Sequence, residues 1–133
     1  MHLDMFKILV DGNLHSCYAP VVVRVNVGSA ANAQVCLPWA AEEHLKIYPM
    51  RGSHGGNFTV SIHDPAGMTL KTTEWWGQPK TEQHYPDPSW KVYVNGGDSM
   101  TIRGHVIHVI NFCGTCGLQG KQLWQCTCAE RAT

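Results

Sequence analysis

Apolar and polar residues alternate over several short segments, and this pattern predicts β-strands. The clearest segment runs from Val21 to Val27, where valines hold every second position and Arg24 and Asn26 lie between them. A second segment, from Phe58 to His63, alternates in the same way. Successive side chains of a strand point to opposite faces, so both segments predict strands with one buried and one polar face.

Turn signals separate the predicted strands. In Asp64-Pro65-Ala66-Gly67, proline presets φ and glycine accepts a positive φ, so we expect a turn that joins 58–63 to 68–73 as a hairpin. We expect a second hairpin, of 91–94 and 100–110, across Asn95-Gly96-Gly97-Asp98. Further short strands are predicted at 7–10, 34–37, 45–48 and 121–128, one helical turn at 39–44, and an irregular stretch at 74–89.

About eight short strands without a long helical segment indicate an all-β fold. We predict an antiparallel β-sandwich or a jelly-roll-like barrel. The chain has 133 residues, a length that favours one β domain spanning 1–133. Its C-terminal region 90–128 is expected to be a hairpin clamped by cysteines.

Charge argues against a nucleic-acid partner. Ten basic residues balance ten acidic ones, and no run of Lys or Arg is present to neutralise phosphates. A net charge near zero favours association. We therefore expect a homo-oligomer, a trimer ahead of a dimer, within a larger protein assembly.

The sequence also lacks features of membrane insertion and secretion. No apolar run approaches the ~18 residues that a spanning helix needs. The N-terminal segment MHLDMFKILVDGN has no basic start, long apolar stretch or small-residue cleavage site. We expect synthesis in the cytoplasm without a signal peptide, and no membrane partner.

Four cysteines near the C-terminus follow the spacing Cys113-x2-Cys116-x9-Cys126-x-Cys128. Two thiolates two residues apart can chelate one ion from a tight turn, and the glycines of Cys-Gly-Thr-Cys-Gly let backbone N–H groups point at the sulfurs. This half resembles a zinc knuckle. Cys126 and Cys128 would lie on one side of a strand and complete a tetrahedral zinc site. In zinc knuckles the second pair of ligands is also separated by two residues, whereas only one residue separates Cys126 from Cys128.

Disulfides and free thiols remain alternatives for these cysteines. Adjacent strands could bring Cys113 or Cys116 within disulfide reach of Cys126 or Cys128. The expected cytoplasmic synthesis disfavours disulfides, but a protein released after assembly can oxidise later. Cys17 and Cys36 stand apart, and we expect two buried free thiols there rather than a bridge.

No catalytic motif is recognisable. The sequence has no nucleophile elbow, phosphate-binding loop, dinucleotide fingerprint or H-E-x-x-H. His105 and His108 are three residues apart, a spacing that puts them on opposite faces of a strand. We therefore assign no catalytic residue and expect a non-enzymatic protein, with a metal-dependent enzyme as the more distant alternative.

The aromatic residues around 74–90 are the best candidates for a contact surface: Trp75, Trp76, Tyr85 and Trp90. Exposed Trp and Tyr are enriched at interface hot spots, and Trp faces also stack on sugars. The plainer reading is that the tryptophans cap the end of the sandwich.

We expect a structural, assembly or binding module, such as a virion accessory protein that decorates a capsid or belongs to a tail. This rests on fold-level analogy. The alternative is a carbohydrate-binding module that uses the Trp-rich loop 74–90.

Overall fold

The chain folds into strands, as the alternating pattern predicts. The computed structural model describes residues 4–18, 24–49, 57–72, 80–95, 97–119 and 125. These ranges contain eleven strands and no α-helix, so the all-β prediction is confirmed. Nothing in this part of the chain forms a helix long and apolar enough to cross a membrane.

The strands are short, and their bounds follow the turn residues closely. In chain order they are β1 Asp4–Val10, β2 Asn13–Tyr18, β3 Val25–Gly28, β4 Val35–Cys36, β5 Leu45–Pro49, β6 Asn57–Ile62, β7 Met68–Lys71, β8 Glu82–Tyr85, β9 Ser89–Asn95, β10 Ser99–Ile102 and β11 His105–Cys113.

Two sheets make a sandwich-like arrangement. The six-stranded sheet has the order β2-β1-β11-β10-β7-β8, and the five-stranded sheet has the order β4-β3-β5-β6-β9. Neighbouring strands are antiparallel except β3 and β4, which are parallel. The fold therefore agrees with the predicted β-sandwich and has more strands than the eight expected.

The hydrophobic core lies between the sheets and is built by alternation. In β11, Ile107 and Val109 are buried, while His108 between them is half-buried on the opposite face. Burying such a side chain stabilises a fold by roughly 1.5–3 kcal/mol. Both sheets contribute large, fully buried apolar side chains, among them Ile8, Met68, Met100, Ile102 and Ile107 from one sheet and Val25, Val27, Leu45, Ile47 and Ile62 from the other.

Both hairpin predictions are wrong, because the two strands that each turn joins do not pair with each other. β9 pairs with β6 in the five-stranded sheet, whereas β10 pairs with β7 and β11 in the six-stranded sheet. The Asn95–Asp98 turn thus crosses from one sheet to the other. The Asp64–Gly67 turn does form, with the Gly67 N–H donating to the Asp64 carbonyl at 2.8 Å, but it likewise links strands of different sheets.

Other predicted elements differ locally. The segment 100–110 is two strands, because Arg103 and Gly104 both take positive φ and form a tight turn. β2 and β8 were not predicted, and both are mostly exposed strands with weak hydrophobic patterns. Residues 37–44 form turns rather than a helical turn. The predicted strand at 121–128 lies outside the described residues.

Candidate functional site

A β-bulge in β9 presents two aromatic side chains on the outer face of the five-stranded sheet. Val60 pairs with Val92 and Ile62 pairs with Ser89, so Ser61 alone faces Trp90 and Lys91. Lys91 has φ of 56°, the left-handed conformation that glycine adopts in one type of bulge. The extra residue changes the alternation, so that Trp90 points outward although Val92 and Val94 point inward.

Large aromatic side chains are exposed on this face. Trp90 is 65% exposed and Tyr93 is 69% exposed. Tyr93 lies opposite Thr59, which lies opposite Tyr48 on the next strand, so the three form one row across the sheet. We call Tyr48, Trp90 and Tyr93 the outer aromatic face.

The Trp90 ring is held in a defined orientation by a neighbouring histidine. The rings of His63 and Trp90 meet edge to face, with centroids 4.8 Å apart and an angle of 74°. The Ser61 hydroxyl contacts His63 Nε2 at 3.0 Å and fixes that imidazole in turn. A large exposed ring is thereby preorganised, which lowers the entropy cost of binding.

A shallow groove runs beside Trp90. It has a volume of about 570 Å³ and is lined by Tyr48, Thr59, Ser61, Trp90 and Lys91. Its lining combines aromatic rings with hydroxyls and one cationic side chain, a composition suited to recognition rather than to proton transfer.

The structure separates the aromatic residues that the sequence grouped together. Tyr85 lies on β8 of the six-stranded sheet and packs partly against the core. Trp90 lies on β9 of the other sheet. Trp75 and Trp76 lie outside the described residues. Tyr93, which the sequence analysis missed, belongs to the exposed row, and the signal for it was the alternation Val92-Tyr93-Val94.

The first half of the cysteine cluster forms a tight turn at the end of β11. Cys113 is buried, and the Thr115 N–H points at its Sγ at 3.4 Å. The Gly117 N–H donates to the Cys113 carbonyl at 2.9 Å, and Gly117 takes φ of 80°. An N–H directed at sulfur stabilises a thiolate, which is the form that binds metal. Cys126 and Cys128 lie outside the described residues.

The remaining cysteines and the paired histidines do not form a site. Cys17 and Cys36 are exposed free thiols on different sheets, so the expected burial was wrong. His105 and His108 lie on opposite faces of β11, as predicted from their spacing. Within the described ranges, no group of three or more His, Cys, Asp or Glu side chains is placed to hold a metal.

Two tight turns dock side by side at one end of the sandwich. Asp11 and Gly12 join β1 to β2, and both take positive φ, as do Arg103 and Gly104 between β10 and β11. The Asp11 carboxylate accepts the Val106 N–H at 2.9 Å and lies 2.6 Å from His105 Nδ1. Positive φ at both central residues matches the twist of a two-residue hairpin.

Asp64 is the centre of a polar network at the same end. Its carboxylate is fully buried and receives the Arg103 guanidinium in a two-pronged contact, with Nε at 2.9 Å from Oδ2 and Nη2 at 2.9 Å from Oδ1. The Ala66 N–H donates to Oδ1 at 2.8 Å, and His44 Nδ1 lies against Oδ2. A buried carboxylate needs such partners because its desolvation is costly.

Trp39 connects the two carboxylate–histidine pairs. Its ring stacks on His105 with centroids 3.9 Å apart and meets His44 edge to face at 5.3 Å. We call this group the end cluster, and its members are Asp11, Trp39, His44, Asp64, Arg103 and His105. It ties the two hairpin turns of the six-stranded sheet to the 37–44 loop and the 63–67 link between the sheets.

The cluster shifts the pKa values of its acids and its buried base. Burial alone would raise the pKa of Asp64, but hydrogen bonds from Arg103, Ala66 and His44 outweigh it and hold the pKa well below 3.8. Burial lowers the pKa of His44 below 6.5, against the opposing effect of Asp64. At neutral pH Asp64 is therefore charged and His44 is neutral.

The Asp64–His44 pair has the orientation of a catalytic base and its positioning carboxylate, but its surroundings are wrong for catalysis. His44 is fully buried, and in the part of the chain that the structure describes its Nε2 has no hydrogen-bond partner. A general base must reach the proton that it abstracts. Asp64 was predicted only as part of a turn, and nothing in the sequence singled out His44, since the contact joins residues that no local pattern connects.

A comparison with known protein families found no match to this chain, and a search of curated proteins found no relative.

Proposed function

We propose that this chain is a non-enzymatic binding module that assembles through its outer aromatic face. The observation that carries the proposal is the bulge at Lys91, which turns Trp90 outward where regular pairing would bury it. Bulges re-aim side chains at functional places, and exposed Trp and Tyr are enriched at interface hot spots.

The first partner that we propose is a second copy of this chain. Ten basic and ten acidic residues leave no net charge to oppose self-association. A trimer ahead of a dimer, as part of a larger protein assembly, follows the expectation from the sequence. A virion accessory role, as a capsid decoration or tail component, is the narrower form of this proposal.

Sedimentation velocity over a wide concentration range tests the assembly. We expect the wild type to associate and Trp90→Ala and Tyr93→Ala to shift it toward the monomer. Leu14→Ala is the matched control, because Leu14 is an apolar side chain 60% exposed on the other sheet. A wild type that stays monomeric throughout, or variants that associate like the control, would contradict the proposal.

A carbohydrate-binding module is the second candidate, and the groove beside Trp90 favours it. The groove joins an exposed indole to hydroxyl groups, which suits the apolar face and polar rim of a sugar ring. Retention on immobilised polysaccharides should then disappear in Trp90→Ala while the oligomeric state stays unchanged. The predicted roles of Trp75 and Trp76 stay predictions.

We propose a structural role for the cysteine turn, as one half of a zinc site or of disulfides with Cys126 and Cys128. The N–H···S contact at Cys113 supports the zinc form. Native mass spectrometry distinguishes the two, because zinc adds mass that denaturation removes, whereas each disulfide removes two hydrogens. Cys116→Ser should weaken zinc binding or remove the one disulfide that contains Cys116, and Cys17→Ser, which changes an exposed free thiol, should leave both signals unchanged.

A further inference from the structure

His44 has one ring nitrogen satisfied and one that is not. Its Nδ1 lies against the Asp64 carboxylate, which can only accept, so the imidazole proton belongs on Nδ1. Its Nε2 is buried and has no hydrogen-bond partner among the described residues. A bare acceptor in this position is tolerated, but a protonated Nε2 would be a buried N–H donor without an acceptor.

The surroundings also oppose a positive charge on this ring. The Arg103 guanidinium already occupies the other side of Asp64, and the Trp39 ring covers His44 edge-on. The Asp64 carboxylate attracts the imidazolium, but this one favourable neighbour is shared with Arg103. Three titratable or charged groups face His44 from the elements packed against it: Asp64, Arg103 and His105. His105 is in turn held by Asp11. The acidic residues of the loop that carries His44, Glu42 and Glu43, are exposed.

We propose that the end cluster is an acid-sensitive clasp, in which protonation of His44 releases the 37–44 loop from Asp64 and opens this end of the sandwich. Opening lets Nε2–H reach water, and it frees Trp39 from its place between His44 and His105. The rest of the sandwich stays closed, because its core is apolar and holds no comparable buried base among the described residues.

The sign and size of the effect follow from proton linkage. The open loop has a His44 with an ordinary pKa near 6.5, and the closed loop has a lower one because of burial. The open form therefore binds the proton, and acid favours it. Below pH 6.5 the opening constant rises by up to about tenfold per pH unit until the closed form also titrates, which gives at most about tenfold between pH 7.5 and 5.5.

Amide hydrogen exchange measured by NMR tests the clasp. The reporters are the amides of His44, which donates to the Val27 carbonyl, and of Ala41, which donates to Asp64. After correction for intrinsic exchange, their protection should fall by up to about tenfold between pH 7.5 and 5.5. The amides that pair β6 with β9 should stay better protected than the reporters at both pH values, because they open only when the whole domain unfolds. Reporters that are no less protected than these amides would mean that the loop opens only by global unfolding, and this would overturn a local clasp.

His44→Asn separates titration of His44 from other effects of acid. Asparagine keeps an N–H near the position of Nδ1 and does not titrate, so the reporters should show no pH effect. His15→Asn is the matched control, since His15 is exposed, and it should lose protection with pH as the wild type does. A wild type without the change, or a His44→Asn protein that retains it, would refute the proposal.

Imidazole ¹⁵N shifts give a test that needs no variant, in case His44→Asn fails to fold. At pH 7.5 the shifts of His44 should report a neutral ring with the proton on Nδ1. The ring should become protonated over the same pH range in which the Ala41 amide loses protection. A His44 that protonates while that protection persists would exclude the clasp.

Discussion

The end cluster and the outer aromatic face differ in which side chains they bury and which they expose. In the end cluster, polar groups pair around a buried charge, the fully buried Asp64, which is held by the more exposed Arg103 and by the buried His44. On the outer face, aromatic groups are exposed, with Trp90 and Tyr93 more than half accessible to solvent. Each arrangement departs from the usual preference of its residue types.

This difference distinguishes the residues of the end cluster, which stabilise the fold, from those of the outer aromatic face, which are available to bind a partner. Removing a group from the end cluster leaves other buried groups without partners, so the cost falls on stability. Removing an aromatic ring from the outer face leaves nothing unsatisfied, so the cost falls on binding. Stability and binding measurements on the same variants therefore test the two roles independently.

Asp64→Ala should give the largest loss of stability. It leaves Arg103, His44 and the Ala66 N–H without their acceptor, and we expect about 3 kcal/mol, at the low end for a broken buried pair because Arg103 can rehydrate. Urea unfolding measures the change. Glu82→Ala, which removes an exposed carboxylate, should change stability by no more than about 0.5 kcal/mol. Equal effects of both substitutions would refute the distinction between the regions.

Acid should destabilise the fold in two steps. His44 has a lowered folded pKa, so its contribution is present above 6.5 and is lost as the pH falls below that value. The slope is about 1.4 kcal/mol per pH unit while His44 alone titrates. Asp64 also has a lowered folded pKa, so its contribution is lost only below 3.8. Urea unfolding at each pH measures both, and His44→Asn should remove the first step alone.

Lys91→Gly should have a smaller effect on the free energy of unfolding, and it should stabilise the fold. Lys91 holds a left-handed φ that costs a side-chain-bearing residue about 1–2 kcal/mol, whereas glycine adopts it freely. Glycine also raises the entropy of the unfolded chain, which offsets part of this gain. We therefore expect a net stabilisation of up to about 1 kcal/mol. Lys71→Gly, at an exposed strand position without positive φ, should instead destabilise by about 0.5–1 kcal/mol. Destabilisation by both would argue against the bulge.

Trp90→Ala and Tyr93→Ala should have the smallest effect on folding, within about 0.5 kcal/mol each. Phe58→Ala is the matched contrast, because Phe58 is an aromatic residue of the same sheet that is only 2% exposed, and it should cost about 3–5 kcal/mol. Thermal unfolding measures all three. A large loss in Trp90→Ala would show that the ring supports the fold and would weaken the binding proposal.

Local sequence patterns predicted elements better than partners. The alternation in Phe58–Ile62 and the Asp64–Gly67 turn were both read correctly, because each depends on neighbouring residues. The hairpins drawn across Asp64–Gly67 and Asn95–Asp98 were wrong, because a turn does not determine whether the next strand stays in the same sheet. The weakly patterned strand β2 was missed because tertiary pairing, not its own propensity, supports it.

For the candidate sites too, the sequence predicted contacts between neighbouring residues but not those that depend on distant ones. Cys113 and Cys116 were predicted to form a turn with N–H groups directed at sulfur, and such a contact follows from four consecutive residues. Trp90 was singled out by residue type, but its exposure depends on a bulge opposite Ser61 that no local pattern encodes.

By itself, the sequence determined that this is a β protein, where most of its turns lie and which faces of its strands are apolar, because these properties depend on residues a few positions apart. Only the tertiary structure decided which strands pair, that Asp64 meets residues 20 and 39 positions away, and that Trp90 points outward. The physical reason is that pairing and burial are settled by the free energy of the whole packed core, in which residues distant along the chain become neighbours.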